Sequence, residues 1–243
     1  MSVPQIRLRK RPIEPKEEHW IPLSDLMTGL MMIFMLIAVM YMVKVEADAK
    51  RVKDIAVLYD EIKLDLYLDL QKEFAMDLSK WGAELDKDLT LRFKEPDVLF
   101  DVGKDSLKPR FAQILDDFFP RYVKIISSKK YRDSVDEIRI EGHTSSVWRG
   151  APSKDDAYFL NMALSQSRTR SVLQYVLSRP TVSQEQDWLR KNLTANGLSS
   201  SKLIMRPDGS ENSEGSQRVE FRVRTNADER MTEILRTVRN ETH

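Results

Sequence analysis

The feature that most constrains this chain is an apolar segment near its start. Residues 23–43 read LSDLMTGLMMIFMLIAVMYMV, with Asp25 as the only charge. A helix rises about 1.5 Å per residue, so this stretch is long enough to cross the roughly 30 Å hydrocarbon core of a bilayer. Its length and the acid within it argue against a cleavable signal peptide, and its near-absence of charge argues against a buried helix of a soluble protein. The segment therefore predicts a single transmembrane helix.

The charges that flank this segment predict its orientation. Basic residues concentrate in the short tail 1–22, and the positive-inside rule places such a tail in the cytoplasm. We therefore expect everything after the helix to lie outside the cytoplasm. The basic residues of the tail are Arg7, Arg9, Lys10, Arg11 and Lys16.

Composition argues against several classes of function. The chain has 39 basic and 38 acidic residues, a balance that indicates no direct nucleic-acid partner. It has no cysteine, which excludes disulfides and thiol catalysis. The sequence also lacks a nucleophile–base pair, a phosphate loop and metal-ligand spacing, and we interpret His143 as a structural hydrogen-bonding residue at a strand end. We expect a protein that is not an enzyme and needs no cofactor or metal.

Asp25 is the most informative residue of the membrane segment. A carboxylate inside a spanning helix costs about 2.5–3.5 kcal/mol at the helix centre and less near an end. It can be a functional group or the N-cap of the helix, and its position alone leaves both explanations open. Thr28, one turn further on, can offer a hydroxyl to the same site or be a small residue that eases helix packing.

The residues around Asp25 resemble a known family. The stretch WIPLSDLMTGL at 20–30, followed by Phe34, resembles the start of the MotB family of motor stators, whose aspartate is shared by the related ExbD and TolR proteins. The resemblance implies that Asp25 carries an ion, with Thr28 in the same site. The expected ion is a proton, with sodium as the alternative. It also implies contact with membrane lipid and a MotA-like multi-span partner, in a five-to-two complex in the bacterial inner membrane.

Residues 44–95 predict a helical stalk and linker outside the membrane. Apolar positions recur every seven residues, with a second series four places after each, as in a parallel coiled coil. This pattern predicts a homodimer, and a single solvated helix is the alternative. The positions are Val45, Ala49, Val52, Ala56, Tyr59, Lys63, Leu66 and Leu70, with Lys63 as the one polar break in the pattern.

The remainder of the chain predicts an α/β domain over residues 96–226 and a C-terminal helix over 227–243. Period-two alternation indicates strands, and apolar spacing of three and four indicates helices. Alternating strands and helices favour a mixed sheet packed on helices. The predicted strands are 97–101, 137–143 and 218–224, and the predicted helices are 107–126, 161–177 and 184–193.

This domain resembles the OmpA-like family. The carrying motifs are IRIEGHT at 138–144, NMALSQSR at 161–168 and QRVEF at 217–221. The family binds peptidoglycan and grips the diaminopimelate of the stem peptide between an aspartate and an arginine. The resemblance implies a peptidoglycan-binding site, and a surface ion pair is the alternative role for its arginine. The implied site residues are Thr144, Ser145, Asn161, Leu164 and Arg168.

Two features depart from the family pattern. Ser145 stands where the family has its aspartate, and the loop 146–159 is longer than usual. Asp155 or Asp156 in that loop could replace the missing acid. These departures bear on the chemistry of the ligand more than on binding to the wall.

The order of the parts is that of a MotB protein, and the whole chain also resembles the MotB-like subunits of Zorya anti-phage defence systems. The resemblance includes GHTSS at 142–146 and YFLN at 158–161. It implies an ion-driven, wall-anchored motor subunit with a ZorA-like partner. The alternatives are a flagellar-type stator subunit and a passive peptidoglycan tether.

Overall fold

The computed structural model describes residues 20–94 and 96–226, and the basic tail before Trp20 and the predicted C-terminal helix 227–243 lie outside the described residues. The chain divides into two compact units, Met1–Lys53 and Asp54–His243. The first helix, α1, covers Trp20–Phe74. Each unit is described by itself below.

Within the first unit, α1 contains the segment that the sequence predicts to span a membrane. Among the described residues, Leu23–Lys50 is the one stretch of helix long and apolar enough to cross a bilayer. Large side chains such as Met31, Phe34 and Met35 are exposed along it. An apolar surface of this extent is typical of a helix that contacts lipid or other membrane helices.

The second unit is built on a five-stranded mixed sheet in the order β1-β2-β5-β3-β4. The pair β3 and β4 is parallel, and the other neighbouring strands are antiparallel. An apolar helix followed by helices and a mixed sheet confirms the predicted fold class. The strands are β1 Ala83–Leu85, β2 Thr90–Phe93, β3 Val135–His143, β4 Leu193–Gly197 and β5 Arg218–Thr225.

The helices of this unit connect the strands. The helices after α1 are α2 Pro96–Leu99, α3 Pro109–Ile126, α4 Lys154–Leu177, a 3-10 turn Pro180–Glu185, α5 Gln186–Asn192 and α6 Ser213–Ser216. The predictions for α3, β3 and β5 are confirmed to within a few residues. In β5, Val219, Phe221 and Val223 are buried, as their alternation predicts.

An aromatic cluster joins α3 to the sheet. The ring of Phe118 on α3 lies 5.4 Å from Phe93 on β2 and 5.1 Å from Phe221 on β5, measured between ring centroids. The rings meet edge to face, the arrangement that aromatic quadrupoles favour. The apolar side of the sheet therefore carries the core, while the other side of β3 and β5 carries charged residues.

The folded unit begins earlier than residue 96, the predicted start of the domain. Strands β1 and β2 lie within the segment predicted as stalk and linker. The end of α1 also belongs to the core, because Leu66, Leu70 and Phe74 are fully buried there. The last part of the predicted coiled-coil pattern therefore packs against its own domain, since an apolar stripe on a helix suits either kind of contact.

Three local predictions differ from the structure. Residues 97–101 contain the short helix α2 instead of a strand, because Pro96 suits a first helical position and β5 already pairs with β2 and β3. Helix α4 begins at Lys154, so the last six residues of the predicted loop 146–159 are helical. Strand β4 was not predicted, since its five residues LTANG have little apolar alternation.

Candidate functional site

A cleft forms where β3 ends beside α4. Gly142 brings the two elements together, because a Cβ at this position would lie 2.6 Å from Cγ2 of Thr169 and 3.0 Å from the backbone oxygen of Ser165. Only glycine permits so close an approach. Thr144 and Ser145 follow directly after the strand, and both are buried. The Gly-His-Thr segment therefore places these two hydroxyl groups against the helix.

Helix α4 supplies the other wall of the cleft. Asn161, Leu164 and Arg168 are spaced by three and four residues, which puts them on one face of the helix. All five residues that the OmpA-like resemblance implies line a single cleft of about 280 Å³. The structure therefore brings the predicted residues together, although their role in binding stays a prediction. The cleft is also lined by Val102, Gly103, Val147, Trp148, Arg149 and Gln217.

Arg168 is buried and held by backbone carbonyls. Its Nε donates to the oxygen of Lys104 at 2.9 Å, and Nη2 donates to the oxygen of Asp101 at 3.0 Å. The guanidinium carbon lies 4.8 Å from the centre of the Phe100 ring, close enough for a cation–π contact. Among the described residues no carboxylate forms an ion pair with it. The alternative role of Arg168 in a surface ion pair is therefore wrong.

The burial of Arg168 has an electrostatic consequence. Burial lowers the pKa of its guanidinium to about 10, and the charge of Asp105 opposes that effect. Arg168 is still charged at neutral pH. A buried cation without an ion-paired carboxylate is costly, so the guanidinium is a candidate position for an anionic ligand.

The segment 100–105 contributes to the site without any signal in the sequence. It lies more than sixty residues before Arg168, and its backbone oxygens accept the hydrogen bonds of the arginine. The carboxylate of Asp101 pairs instead with Lys108 at 3.3 Å and Lys104 at 3.4 Å. Hydrogen bonds from Lys108 and Lys104 lower the pKa of that carboxyl. The carboxylate of Asp105 accepts from the hydroxyl of Ser167.

Neither of the two acids suggested as a replacement for the missing aspartate lines the cleft. Asp155 and Asp156 are exposed in the first turn of α4. Asp156 belongs to the helix cap, because its amide donates to Oγ of Ser153 at 3.1 Å and its carboxylate accepts from that hydroxyl at 2.6 Å. The first of these bonds satisfies one of the free backbone amides at the helix start.

A different acid, Glu211, lies beside the Gly-His-Thr-Ser-Ser segment. Its carboxylate accepts a hydrogen bond from the backbone amide of Ser146 at 3.0 Å and another from the hydroxyl of the same residue. Glu211 therefore holds the segment that follows Ser145, although it does not line the cleft. The sequence gives no signal for this pairing, because the two residues are 65 positions apart.

Behind the cleft lies a buried cluster of charged residues on β2, β3 and β5. Ligand atoms of Glu141, His143 and Glu220 lie within 4.8 Å of one another, which is close enough to hold a cation. However, Arg92 and Arg218 each donate to Glu220 at 2.7 Å. These positive charges oppose a metal ion by direct repulsion. The cluster is better described as a buried ion-pair network.

His143 lies at the end of β3, as the sequence predicts, and its imidazole is buried beside two acids. Among the described residues, neither nitrogen of its imidazole has a hydrogen-bond partner. Its Nε2 lies 3.6 Å from the carboxylate of Glu220 and 3.9 Å from that of Glu141. Strand geometry places the side chain between Glu220, which accepts hydrogen bonds from Arg92 and Arg218, and Glu141, whose nearest arginines are 3.9 Å away.

In the membrane segment, Asp25 lies inside the helix and is not its N-cap. Helix α1 begins at Trp20, more than one turn earlier. Asp25 and Thr28 are both exposed in the chain by itself. The hydroxyl of Thr28 donates to the backbone oxygen of Ser24 at 2.8 Å, so its oxygen remains available as an acceptor. The N-cap explanation for Asp25 therefore fails.

Comparison with known proteins identifies the family. No protein-family model matches the chain. The Zorya protein ZorB of Escherichia coli is 48% identical over 219 residues, which cover 90% of this chain and 92% of that protein. The chain belongs to the ZorB family. Membership of this family supports the prediction that the chain is not an enzyme.

A solved structure supports the fold of this ZorB-family chain. The crystal structure of a putative MotB-like protein from Desulfovibrio vulgaris has a TM-score of 0.51 and 24% identity. The match covers 70% of this chain and 98% of that one. The second unit of the ZorB-family chain therefore has the fold of MotB-like proteins.

Proposed function

We propose that this chain is the ion-conducting, wall-anchored subunit of a MotA/MotB-like motor in the bacterial inner membrane, and that it acts in anti-phage defence. In this proposal the apolar helix crosses the membrane once, with the N-terminus in the cytoplasm and the second unit in the periplasm. The observation that carries it is the buried, unpaired Arg168 in a cleft with the other OmpA-like motif residues. The similarity of the chain to the Zorya protein ZorB supports the defence role.

The cleft supports binding to peptidoglycan. The guanidinium of Arg168 is fixed by two backbone carbonyls and an aromatic ring, so it is already oriented before a ligand arrives. A carboxylate of a stem peptide would supply the missing negative charge and form charge-assisted hydrogen bonds. Thr144, Ser145 and Asn161 would add neutral hydrogen-bonding groups. This site would anchor the subunit to the cell wall.

Asp25 supports the role in ion transfer. Its position within an apolar helix is costly unless the carboxylate has a function or a partner. One charge that crosses a potential of 100 mV releases about 2.3 kcal/mol, which is enough to drive a conformational change. A single carboxylate does not make a pathway, so we expect the helices of a ZorA-like, MotA-type partner to complete it. The assembly would contain a dimer of this chain, and the transferred ion would be a proton, with Thr28 beside the carrier.

The test compares variants of the two sites in a phage-protection assay. Asp25→Asn should abolish protection while the protein is still inserted and assembled with its partner, because an amide does not take up and release a proton as a carboxylate does. Asp48→Asn, which removes a carboxylate from the other end of the same membrane segment, is the matched control and should protect normally. Unimpaired protection by Asp25→Asn would exclude the motor role.

Further arms of the test separate the alternatives. A passive tether would need Arg168 and not Asp25, so Arg168→Ala alone would lose protection. A flagellar-type subunit would restore swimming in a strain that lacks its stator. The proposed function predicts that both variants lose protection and that the wild-type chain does not restore swimming.

A further inference from the structure

The cleft beside α4 has an unusual balance of charge. Among the described residues its lining contains two arginines, Arg149 and Arg168, and no aspartate or glutamate. A site that clamps a zwitterion between an acid and a base needs one group of each sign. This cleft offers only the positive half of such a clamp.

We infer that the cleft recognises its ligand through carboxylates alone and has no contact for a free ammonium group. The inference rests on the proposed function and names the chemistry of the same site. The ligand class is a wall peptide with two free carboxylates, one for Arg168 at the base of the cleft and one for Arg149 at its mouth.

A buried donor at the base of the cleft supports the first carboxylate position. The hydroxyl of Thr144 is buried, lines the cleft and has no hydrogen-bond partner among the described residues. The cost of leaving such a group unpaired is recovered when a ligand bonds to it. In Arg168, Nε and Nη2 are engaged with the backbone, which leaves Nη1 for a ligand. A carboxylate can accept from Nη1 and from the Thr144 hydroxyl together.

The mouth of the cleft supports the second position. Arg149 is exposed, and no ion pair with it is present among the described residues. Trp148 is half-buried and Val147 is exposed beside it, so both present apolar surface to the carbon chain of a ligand. An arginine at an exposed rim contributes mainly through long-range attraction and therefore responds to salt.

The acids near the cleft are occupied by other groups. Glu211 accepts from the amide and the hydroxyl of Ser146, and Asp105 accepts from the hydroxyl of Ser167. Asp101 bonds to two lysines, and none of these three carboxylates lines the cleft. An ammonium group in the cleft would therefore meet two guanidinium groups and no carboxylate in the lining.

The test measures the binding of three soluble peptidoglycan tripeptides to the full-length protein in detergent by calorimetry. The first carries unmodified diaminopimelate, the second has the side-chain amine of diaminopimelate acetylated, and the third has the carboxylate on the same carbon as that amine amidated. Acetylation should leave Kd within about twofold, whereas amidation should weaken binding by about tenfold or more, since a charge-assisted hydrogen bond is lost.

Protein variants complete the test. Arg149→Gln should weaken binding of the first two peptides by about tenfold at low salt and by less at high salt. Arg170→Gln is the matched control, because Arg170 is an exposed arginine of α4 that does not line the cleft. It should bind like the wild-type protein.

Failure of the proposed function and failure of this inference give different results. If none of the peptides binds and the protein also fails to bind isolated cell walls, the proposed wall anchor is excluded together with this inference. If the unmodified peptide binds and acetylation weakens its binding by about tenfold or more, an acidic side chain contacts the ammonium group. That result overturns the inference and leaves wall binding intact. Glu211→Gln would then show whether Glu211 is that acid, because the variant would remove the difference between the two peptides.

Discussion

Glu141 on β3 and Glu220 on β5 lie directly opposite each other in the sheet, and both side chains are buried. Like charges at paired positions on neighbouring strands normally destabilise a sheet. Here Arg92 and Arg218 donate to Glu220 at 2.7 Å, and Arg222 lies 3.9 Å from Glu141. The arginines convert a repulsive pair into a network that spans β2, β3 and β5.

This network predicts a loss of stability in acid. Burial by itself raises the pKa of Glu220, but nearby His143 and the hydrogen bonds from Arg92 and Arg218 outweigh it and lower the pKa below the ordinary 4.5. A carboxyl whose pKa is lowered on folding stabilises the protein above its unfolded pKa, and this stabilisation is lost as the pH falls toward the folded value. Chemical denaturation of the full-length protein should therefore show a lower free energy of unfolding at pH 3 than at pH 7.

The variant Glu220→Gln tests the source of that pH dependence. It should cost about 3–5 kcal/mol at pH 7, because it leaves the buried Arg218 without its anion and removes one of the two acids that pair with Arg92. It should also flatten the decrease in stability between pH 5 and pH 3 relative to the wild-type protein. Glu214→Gln, at an exposed position of α6, should change neither quantity. An equal acid response in wild type and Glu220→Gln would contradict the prediction.

Gly142→Ala should destabilise the second unit and distort the cleft. Its Cβ would lie 2.6 Å from a methyl group of Thr169 and 3.0 Å from the oxygen of Ser165, so β3 and α4 must separate. We expect a loss of about 1–3 kcal/mol from this overpacking, measured as a shift in the denaturation midpoint. Thr169→Ser removes that methyl group and should partly restore the double variant. A double variant no better than Gly142→Ala would show that the backbone contact dominates.

Leu70→Ala tests the position of the end of α1. The side chain is fully buried in the core of the second unit, so its truncation should cost about 2–5 kcal/mol of unfolding free energy. Leu68→Ala is the matched control, since Leu68 is 49% exposed on the same helix. If Leu70 instead served a dimer contact, its truncation would weaken self-association in analytical ultracentrifugation and leave the stability of the unit unchanged.

Ser153→Ala should shorten α4 at its start. The hydroxyl accepts from the amide of Asp156 at 3.1 Å, and the loss of such an N-cap costs about 1 kcal/mol. Hydrogen exchange should become faster at the amides of residues 154–157. Ser183→Ala, at an exposed serine of the 3-10 turn that follows α4, is the control and should leave those amides unchanged. Unaltered exchange in Ser153→Ala would show that the first turn of α4 does not depend on this cap.

The sequence was informative wherever a local pattern has one physical outcome. The apolar segment around Asp25 predicts a long helix suited to an apolar environment, and the alternation of Val219, Phe221 and Val223 predicts a strand with one buried face. The three ordered OmpA-like motifs also indicated which residues share the cleft. The start of α4 had a readable signal in the Ser153-x-x-Asp156 cap, which the long-loop interpretation overlooked.

The sequence by itself therefore determined the long apolar helix, the class of the α/β domain and the residues of the cleft. Only the tertiary structure decided which groups form hydrogen bonds with those residues. The carbonyls of Asp101 and Lys104 that hold Arg168, and Glu211 beside Ser146, come from distant parts of the chain. Local patterns report the environment a residue prefers, whereas the partner it meets depends on how distant segments pack. For the same reason, the heptad pattern at Leu66 and Leu70 did not reveal that these residues pack into their own domain.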